Sequence, residues 1–312
     1  MTSKLFFKST LLFFSLLIVS CGSSKKTIPQ LKPSTYNVTL TSTSTDVTFK
    51  TGAENFESYL PLLKDKSVGI VTNQTGILSE EKHLVDFLIE QNINLQKIYA
   101  PEHGFRGTAD AGELIVDGKD TKTSLPIISL YGNNKKPKPE QLEGIDILVF
   151  DLQDVGARFY TYISSLHYVM EACAENNIPL LVLDRPNPNG TIIDGPILEK
   201  EHKSFVGMHE IPVLHGMTIG EYAKMINGEK WLKDSLQCDL KVAPCLNYSH
   251  DMKYSLPVKP SPNLPNDQSI NLYASLCFFE GTNVSLGRGT EKQFQIYGSP
   301  FLPESEFDFS FT

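Results

Sequence analysis

Basic residues are too few in this sequence to suggest a nucleic-acid partner. The 312 residues include 28 Lys and Arg against 36 Asp and Glu, which gives a formal net charge of −8. Such a chain lacks the broad basic surface that binds nucleic-acid backbones or anionic membranes. We therefore predict no nucleic-acid partner, although a few arginines can still create a local positive pocket.

Cysteines are also scarce, and their spacing does not match the common zinc motifs. Only five are present, and no Cys-x-x-Cys pair occurs. Cys173 falls on the apolar stripe of a predicted helix and is expected in the core. Cys238 and Cys245 could form a disulfide if the protein resides in an oxidising compartment.

The apolar run near the N-terminus is too short to cross a bilayer comfortably, which takes about 20 residues. It covers Leu11–Val19, follows two lysines and precedes Ser20-Cys21, the order of a signal peptide ending in a bacterial lipobox. We expect residues 1–21 to be a lipoprotein signal peptide with lipid on Cys21. The alternative is an ordinary secretory signal with an incidental cysteine. The expected location is the cell envelope, anchored on the periplasmic face of a bacterial membrane.

Residues 22–50 are rich in Ser, Thr and Lys without periodicity, which is typical of a flexible tether. From residue 51 to 195, short apolar runs alternate with helical patterns. The predicted strands are Val68–Thr72, Leu95–Ala100, Ile127–Tyr131, Ile145–Asp151 and Leu180–Asp184, and the predicted helices are His83–Gln91 and Phe159–Cys173.

Strands that are apolar throughout and alternate with helices predict an α/β fold, a Rossmann-like, doubly wound parallel sheet. No G-x-G-x-x-G follows the first strand, so no dinucleotide or other cofactor is predicted. Residues 196–312 are richer in proline and irregular segments, and we predict a second, smaller α+β domain there that is incomplete at its C-terminus. Thr218 and Glu221 form a capping box at the start of a helix in this part.

Polar residues follow every predicted strand of the first domain. Ligands bind outside the carboxyl ends of the strands in such sheets, and clusters of ionisable groups are typical of active sites. The candidates are Asn73, Glu102, His103, Arg106, Tyr131, Asp151, Asp154, Arg158, Tyr160, Asp184, Arg185 and Asn187, together with His215 from the second domain.

Three functions suit these residue types. The first is acid–base cleavage of a glycoside, which needs a carboxylic acid such as Glu102 and a second group on the opposite face of the bond. The second is metal-assisted hydrolysis with histidine and aspartate ligands, although no pair of histidines has the tight spacing of the H-E-x-x-H motif. The third is glycan or peptide binding without catalysis.

Structural roles compete with these functions at several positions. Asp184–Pro188 could be a turn held by Asp and Asn side chains, and Asp154 could cap the following helix. Arg158 is expected in the first turn of that helix, where a cation opposes the helix dipole, which favours a functional role.

Nine ordered motifs between Leu60 and the end resemble one bacterial family. They are Pro101–Gly107 with Ala111–Glu113, Ser129–Gly132, Phe150–Tyr162, Val182–Pro188, Ser204–Gly207, His215–Thr218, Pro260–Asn263, Phe279–Asn283 and Gly287–Thr290. The sequence is similar to the exo-β-N-acetylmuramidases of the NamZ type, formerly a domain of unknown function. The resemblance implies an enzyme that removes N-acetylmuramic acid from the non-reducing end of peptidoglycan fragments, in a cleft between two domains.

The resemblance implies that Glu102 is the general acid, and it makes a tyrosine plausible as the partner. We take Tyr131, Asp154 or Tyr160 as the candidates for this second catalytic role. A substrate with a lactyl carboxylate needs a cation, ideally a guanidinium that binds it at two points. The candidate cations are Arg106, Arg158, Arg185 and Arg288. Asn263, Glu280 and Asn283 join the remaining strand-end residues as candidate substrate-binding groups, and muramyl saccharides from peptidoglycan are the expected partners.

Overall fold

The computed structural model describes residues 48–79, 81–106 and 117–306. The predicted signal peptide, Cys21 and nearly all of the predicted tether lie outside these ranges. Within them, no helix is both long and apolar enough to cross a membrane.

Nine strands and six α-helices make up the described fold. The strands are β1 (Ser67–Thr72), β2 (Asn94–Ala100), β3 (Gly118–Lys119), β4 (Pro126–Ser129), β5 (Ile147–Asp151), β6 (Leu180–Leu183), β7 (Ile193–Asp194), β8 (Leu214–His215) and β9 (Leu240–Ala243). The helices are α1 (Phe56–Leu63), α2 (Leu84–Glu90), α3 (Pro139–Leu142), α4 (Tyr162–Glu175), α5 (Ile219–Gly228) and α6 (Asp267–Leu276). Short 3₁₀ helices cover Gly52–Glu54, Lys200–His202, Lys233–Ser235, Cys277–Phe279 and Glu304–Glu306.

Seven strands form one sheet in the order β3-β4-β2-β1-β5-β6-β9, and β7 pairs with β8 in a separate two-stranded sheet. All neighbours in the large sheet are parallel except β3, which runs antiparallel to β4. The chain builds outward from β1 on one side and then returns to β5 on the other, so the order of strands reverses between β1 and β5. This is the arrangement of a doubly wound sheet, and the α/β prediction is confirmed.

The central strands are buried on both faces, which explains why they read as continuous apolar runs. All residues of β5 and β6 are buried, and in β1 only Ser67 is partly exposed. One apolar core packs α4 and α5 against the sheet, and a second packs α1 and α2 against its other face. Side chains of β5 alternate between the two cores, as expected for a strand covered on both sides.

Two expectations about the turn after β5 were wrong. Helix α4 begins at Tyr162, so Arg158 lies before it and not in its first turn. The backbone N–H of Arg158 instead donates to Val213 O, because this segment runs beside β8. Asp154 does not cap α4 either, since the N-cap residue is Thr161 and Asp154 accepts a hydrogen bond from Gly156 N.

Other boundaries moved by a few residues. Tyr131 lies in a turn two residues beyond β4, Asp184 follows the end of β6, and His83 is the N-cap of α2. Strand β3 was missed because two exposed residues at a sheet edge carry no apolar signal. The capping box of α5 is confirmed, since Glu221 N donates to Thr218 Oγ1 and Thr218 N to the Glu221 carboxylate.

The four cysteines in the described ranges are free thiols. Cys173 is buried in the core as predicted, whereas Cys238 and Cys245 do not form the disulfide that the sequence allowed. Cys245 Sγ donates to the backbone oxygen of Asp184 instead. Strand β9 lies beyond residue 195 yet completes the large sheet, and the domain boundary placed there stays a prediction.

Candidate functional site

A cleft of about 190 Å³ opens beside the carboxyl ends of β2 and β5. The residues that line it come from the turns after these strands, from the start of α4, from the loop between β7 and β8 and from the last part of the described chain. They are Glu102, His103, Phe159, Tyr160, Thr161, Tyr162, Val206, Ser261, Asn263, Leu264, Tyr273, Glu280, Arg288 and Phe294.

Glu102 and Tyr131 are brought together by the register of two neighbouring strands. Ala100 pairs with Ser129 at the ends of β2 and β4, and each functional side chain lies two residues further on. Tyr131 Oη donates to Glu102 Oε1 over 3.0 Å. The strand pairing therefore places the carboxyl group of Glu102 beside Tyr131, and Glu102 also lines the cleft.

The turn after Glu102 has an unusual backbone. His103 and Gly104 both adopt positive φ angles, 71° and 75°. This conformation disfavours a residue with a Cβ atom, so a non-glycine residue in it is often found at functional sites. The buried His103 side chain contributes to the lining of the cleft directly beside Glu102.

Tyr162, the first residue of α4, contacts the backbone of Glu102. Asn73 Nδ2 donates to Tyr162 Oη over 2.7 Å, and Tyr162 Oη donates to the backbone oxygen of Glu102 over 3.5 Å. Burial raises the pKa of Tyr162, so its hydroxyl keeps its proton at neutral pH. Asn73 is not among the residues that line the cleft and contacts them through Tyr162, and its predicted contact with substrate stays a prediction.

Tyr160 lines the cleft, but its hydroxyl is already engaged. It donates to Pro260 O over 2.8 Å, and burial raises the pKa of Tyr160 well above its ordinary value. This bond joins the turn after β5 to the segment that carries Ser261 and Asn263 into the cleft.

Asp154 and His215 form a buried pair outside the lining of the cleft. His215 Nδ1 accepts from Met217 N, so the ring proton lies on Nε2, which is 3.4 Å from Asp154 Oδ2. Both side chains are at most 5% exposed, and neither is among the residues that line the cleft. The predicted catalytic role of Asp154 and substrate contact of His215 stay predictions, and the structure shows the two residues joining the turn after β5 to β8.

Asp151 and Arg185 form a two-point ion pair beneath the strand ends. Arg185 Nε lies 2.6 Å from Asp151 Oδ1, and its Nη2 lies 3.0 Å from Oδ2. Both side chains are buried, and the pair joins the end of β5 to the turn that follows β6. The pair positions the loops of the site, while its predicted contact with substrate stays a prediction.

Asp184 and Asn187 bond to the start of α5. The Asp184 carboxylate accepts from Gly220 N over 2.7 Å and from Thr218 Oγ1 over 2.9 Å. Burial raises the pKa of Asp184 to about 6. Asn187 Nδ2 donates to Met217 O, so both side chains tie the turn after β6 to this helix.

The four candidate arginines have different surroundings. Arg106 pairs with Asp120 over 2.8 Å, and Arg158 donates to the backbone oxygens of Pro196 and Ile211. Arg288 alone among them lines the cleft, where it pairs with Glu280 and its side chain is 46% exposed. Asn263 lines the cleft as well, whereas the exposed Asn283 is not part of the lining.

Sequence reasoning missed several residues of the cleft, above all Tyr162. Its position on the apolar stripe of α4 identified it only as a core residue, and the pattern gave no sign of its hydroxyl contacts. Val206, Ser261 and Phe294 were also missed, because they come from segments without a clear periodicity. Tyr273 was missed because helix α6 was not predicted. Across the described ranges, no group of three His, Cys, Asp or Glu side chains could hold a metal ion.

Comparison with known proteins identifies the family. The profile of "Exo-beta-N-acetylmuramidase NamZ, N-terminal" matches residues 68–268, and that of the C-terminal part matches residues 271–309. The chain is 48% identical over 256 residues to the peptidoglycan beta-N-acetylmuramidase NamZ of Bacillus subtilis (strain 168). That match covers 80% of this chain and 61% of the Bacillus protein, so the chain spans about three fifths of that relative.

Two crystal structures of DUF1343 family proteins from Bacteroides fragilis are similar to this fold, each with a TM-score of 0.74. One is 51% identical and covers 81% of this chain, and the other is 38% identical and covers 83%. In both cases the match covers 67% of the solved chain. The profile match extends over more than half of the sequence and includes the turns that carry Glu102 and Tyr131, so this chain belongs to the NamZ family.

Proposed function

We propose that this protein is an exo-acting glycosidase that releases N-acetylmuramic acid from the non-reducing end of peptidoglycan fragments. The observation that carries the proposal is the hydrogen bond from Tyr131 to Glu102, which lines a cleft together with Arg288. An acid, its orienting hydroxyl and a cation for an anionic sugar are among the groups that this reaction needs. The activity named for the Bacillus subtilis relative supports the same reaction.

Glu102 supplies the proton for the leaving group. Tyr131 donates to Oε1 and orients the carboxyl group, which transfers its proton to the glycosidic oxygen. Transfer of this proton accompanies cleavage of the bond between the anomeric carbon and that oxygen, and the rest of the glycan leaves as an alcohol. Tyr162 donates to the backbone oxygen of Glu102 and so helps to fix the position of the acid in the cleft.

Arg288 provides the cation for the lactyl carboxylate of muramic acid. One of its nitrogens, Nη2, pairs with Glu280, and a guanidinium has five N–H groups in a planar fork. The remaining groups can bind the substrate carboxylate at two points. Glucosamine residues lack this carboxylate, so Arg288 would select muramic acid over its neighbour in the glycan.

The proposal is tested with a chromogenic β-N-acetylmuramide beside the matching β-N-acetylglucosaminide. We expect faster cleavage of the muramide, and we expect Arg288→Gln to lower the muramide-to-glucosaminide ratio of kcat/KM by about tenfold or more, as for loss of a charged hydrogen bond. The control is Lys292→Gln, an exposed cation on the same segment, which should leave the ratio unchanged. Cleavage of neither substrate would refute the proposal.

We also propose that the protein is anchored in the cell envelope by lipid on Cys21, where muramyl saccharides from the wall are at hand. The support is the order of basic, apolar and small residues before this cysteine. Expression with radiolabelled palmitate should label the membrane-bound wild type. Cys21→Ala should abolish labelling and release the protein from the membrane fraction. Equal labelling of both would contradict the anchor.

A further inference from the structure

We propose that Glu280 is the second catalytic carboxylate, the base that activates the attacking water. The inference rests on the proposed glycosidase function and assigns the partner of Glu102. Most glycosidases place two carboxyl groups on opposite sides of the scissile bond, one protonated and one ionised. Of the described residues that line the cleft, two have carboxyl groups, Glu102 and Glu280.

The other candidates for this role are engaged elsewhere. Tyr131 donates to Glu102 itself and so belongs to the acid side of the site. The hydroxyl of Tyr160 donates to Pro260 O, and Asp154 lies buried behind the lining of the cleft. Glu280 is the remaining carboxylate among the described residues that line the cleft with Glu102.

The contacts of Glu280 suit an ionised carboxylate. Glu280 Oε1 pairs with the guanidinium of Arg288, and its Oε2 accepts from the thiol of Cys277 over 2.9 Å. A guanidinium pairs best with an ionised carboxylate, which is the form that a base requires. These contacts suit Glu280 to the role of the base, and the proposed function gives Glu102 the role of the acid.

The reaction then balances without any further group. Glu280 takes a proton from water as the water oxygen bonds to the anomeric carbon. On the other side the bond to the leaving oxygen breaks, and that oxygen receives the proton of Glu102. Each turnover consumes one water, and one further proton exchange with solvent restores both glutamates. Attack on the face opposite the leaving group inverts the anomeric configuration, so a β-glycoside gives the α-sugar first.

Leaving-group dependence separates the two roles. With an aryl muramide, whose leaving group needs little protonation, Glu102→Gln should lose much less activity than with a muramyl disaccharide. Glu280→Gln should lose about 10²- to 10⁴-fold with both substrates, because the attack of water is impaired in each. The control is Glu291→Gln, an exposed carboxylate on the same segment, which should match the wild type.

A pH profile and the product anomer distinguish a base from a residue that only positions Arg288. The acidic limb of kcat/KM should disappear in Glu280→Gln and persist in Glu280→Asp, which keeps the charge and the ion pair. The first product seen by proton NMR should be the α-anomer. An unchanged acidic limb in Glu280→Gln, or a β-anomer formed first, would overturn the inference. If the wild type cleaves neither substrate, the proposed function fails instead.

Discussion

The hydroxyl of Tyr131 lies 3.0 Å from Oε1 of Glu102, although the two residues are 29 positions apart in the sequence. Each stands two residues beyond the end of its strand, and the Ala100–Ser129 register places them side by side. The contact therefore depends on the sheet and not on a local turn, and a change at Tyr131 should affect the acid without changing the fold.

Removal of this hydroxyl should slow the chemical step. We expect Tyr131→Phe to lower kcat on a muramyl disaccharide by about 10- to 100-fold with little change in KM, because the loss of one oriented hydrogen bond misplaces the acid. The measurement is steady-state kinetics beside Tyr297→Phe, the loss of a hydroxyl from a half-exposed tyrosine, as the control. Equal kcat values for the two variants would show that the Tyr131 contact is unimportant.

The buried pair of Asp151 and Arg185 should matter for folding. Arg185→Met leaves the fully buried Asp151 carboxylate without its two-point partner, and we expect a loss of about 3–5 kcal/mol in the free energy of unfolding. Urea denaturation measures this loss. Lys82→Met, which breaks a pair exposed on both sides, is the control and should cost about 1 kcal/mol or less. Similar costs for both variants would argue against the buried pair as a folding determinant.

Two buried histidines in contact, His167 and His209, predict how the free energy of unfolding depends on pH. His209 Nδ1 lies 2.8 Å from Tyr222 Oη, and its Nε2 lies 2.9 Å from His167 Nδ1. Burial lowers the pKa of His209 to about 3, far below the value near 6.5 of an unfolded histidine. Between these values the unfolded chain binds more protons than the folded one, so stability falls as the pH decreases.

His209 contributes about 2 kcal/mol to the decrease in the free energy of unfolding between pH 7 and pH 5. We expect urea denaturation to show a smaller loss over this range in His209→Gln than in the wild type, by about that amount. Asp184, whose pKa is raised to about 6, acts in the opposite direction and is unchanged in this variant. An identical pH dependence in both proteins would contradict the assignment.

The sheet could be predicted from the sequence because β1, β5 and β6 are buried on both faces and therefore continuously apolar. Glu102 and Tyr131 were identifiable as strand-end residues for the same reason. Their direct contact was not, since the register between β2 and β4 depends on the packing of the whole sheet. The position of α4 was predicted too early, because pairing of the preceding segment with β8 holds Arg158 outside the helix.

The roles of the arginines could not be separated from the sequence. Arg158 and Arg185 follow strands just as a substrate-binding arginine would, yet they bond to backbone oxygens and to Asp151. Arg288 comes from a segment with weak periodicity, and only the folded chain shows that it lies beside Glu280 in the cleft. Sequence patterns therefore indicated the kinds of residue at the site but not which of them reach the substrate.

The central claim is that Glu102 is the acid of a muramidase, and one comparison tests it most directly. Wild type and Glu102→Gln are assayed on a muramyl disaccharide, with binding of the same disaccharide followed by calorimetry. We predict that the variant binds it with a Kd within a few-fold of the wild type and that release of N-acetylmuramic acid falls by about 10²- to 10⁴-fold. Wild-type turnover in Glu102→Gln would contradict the account.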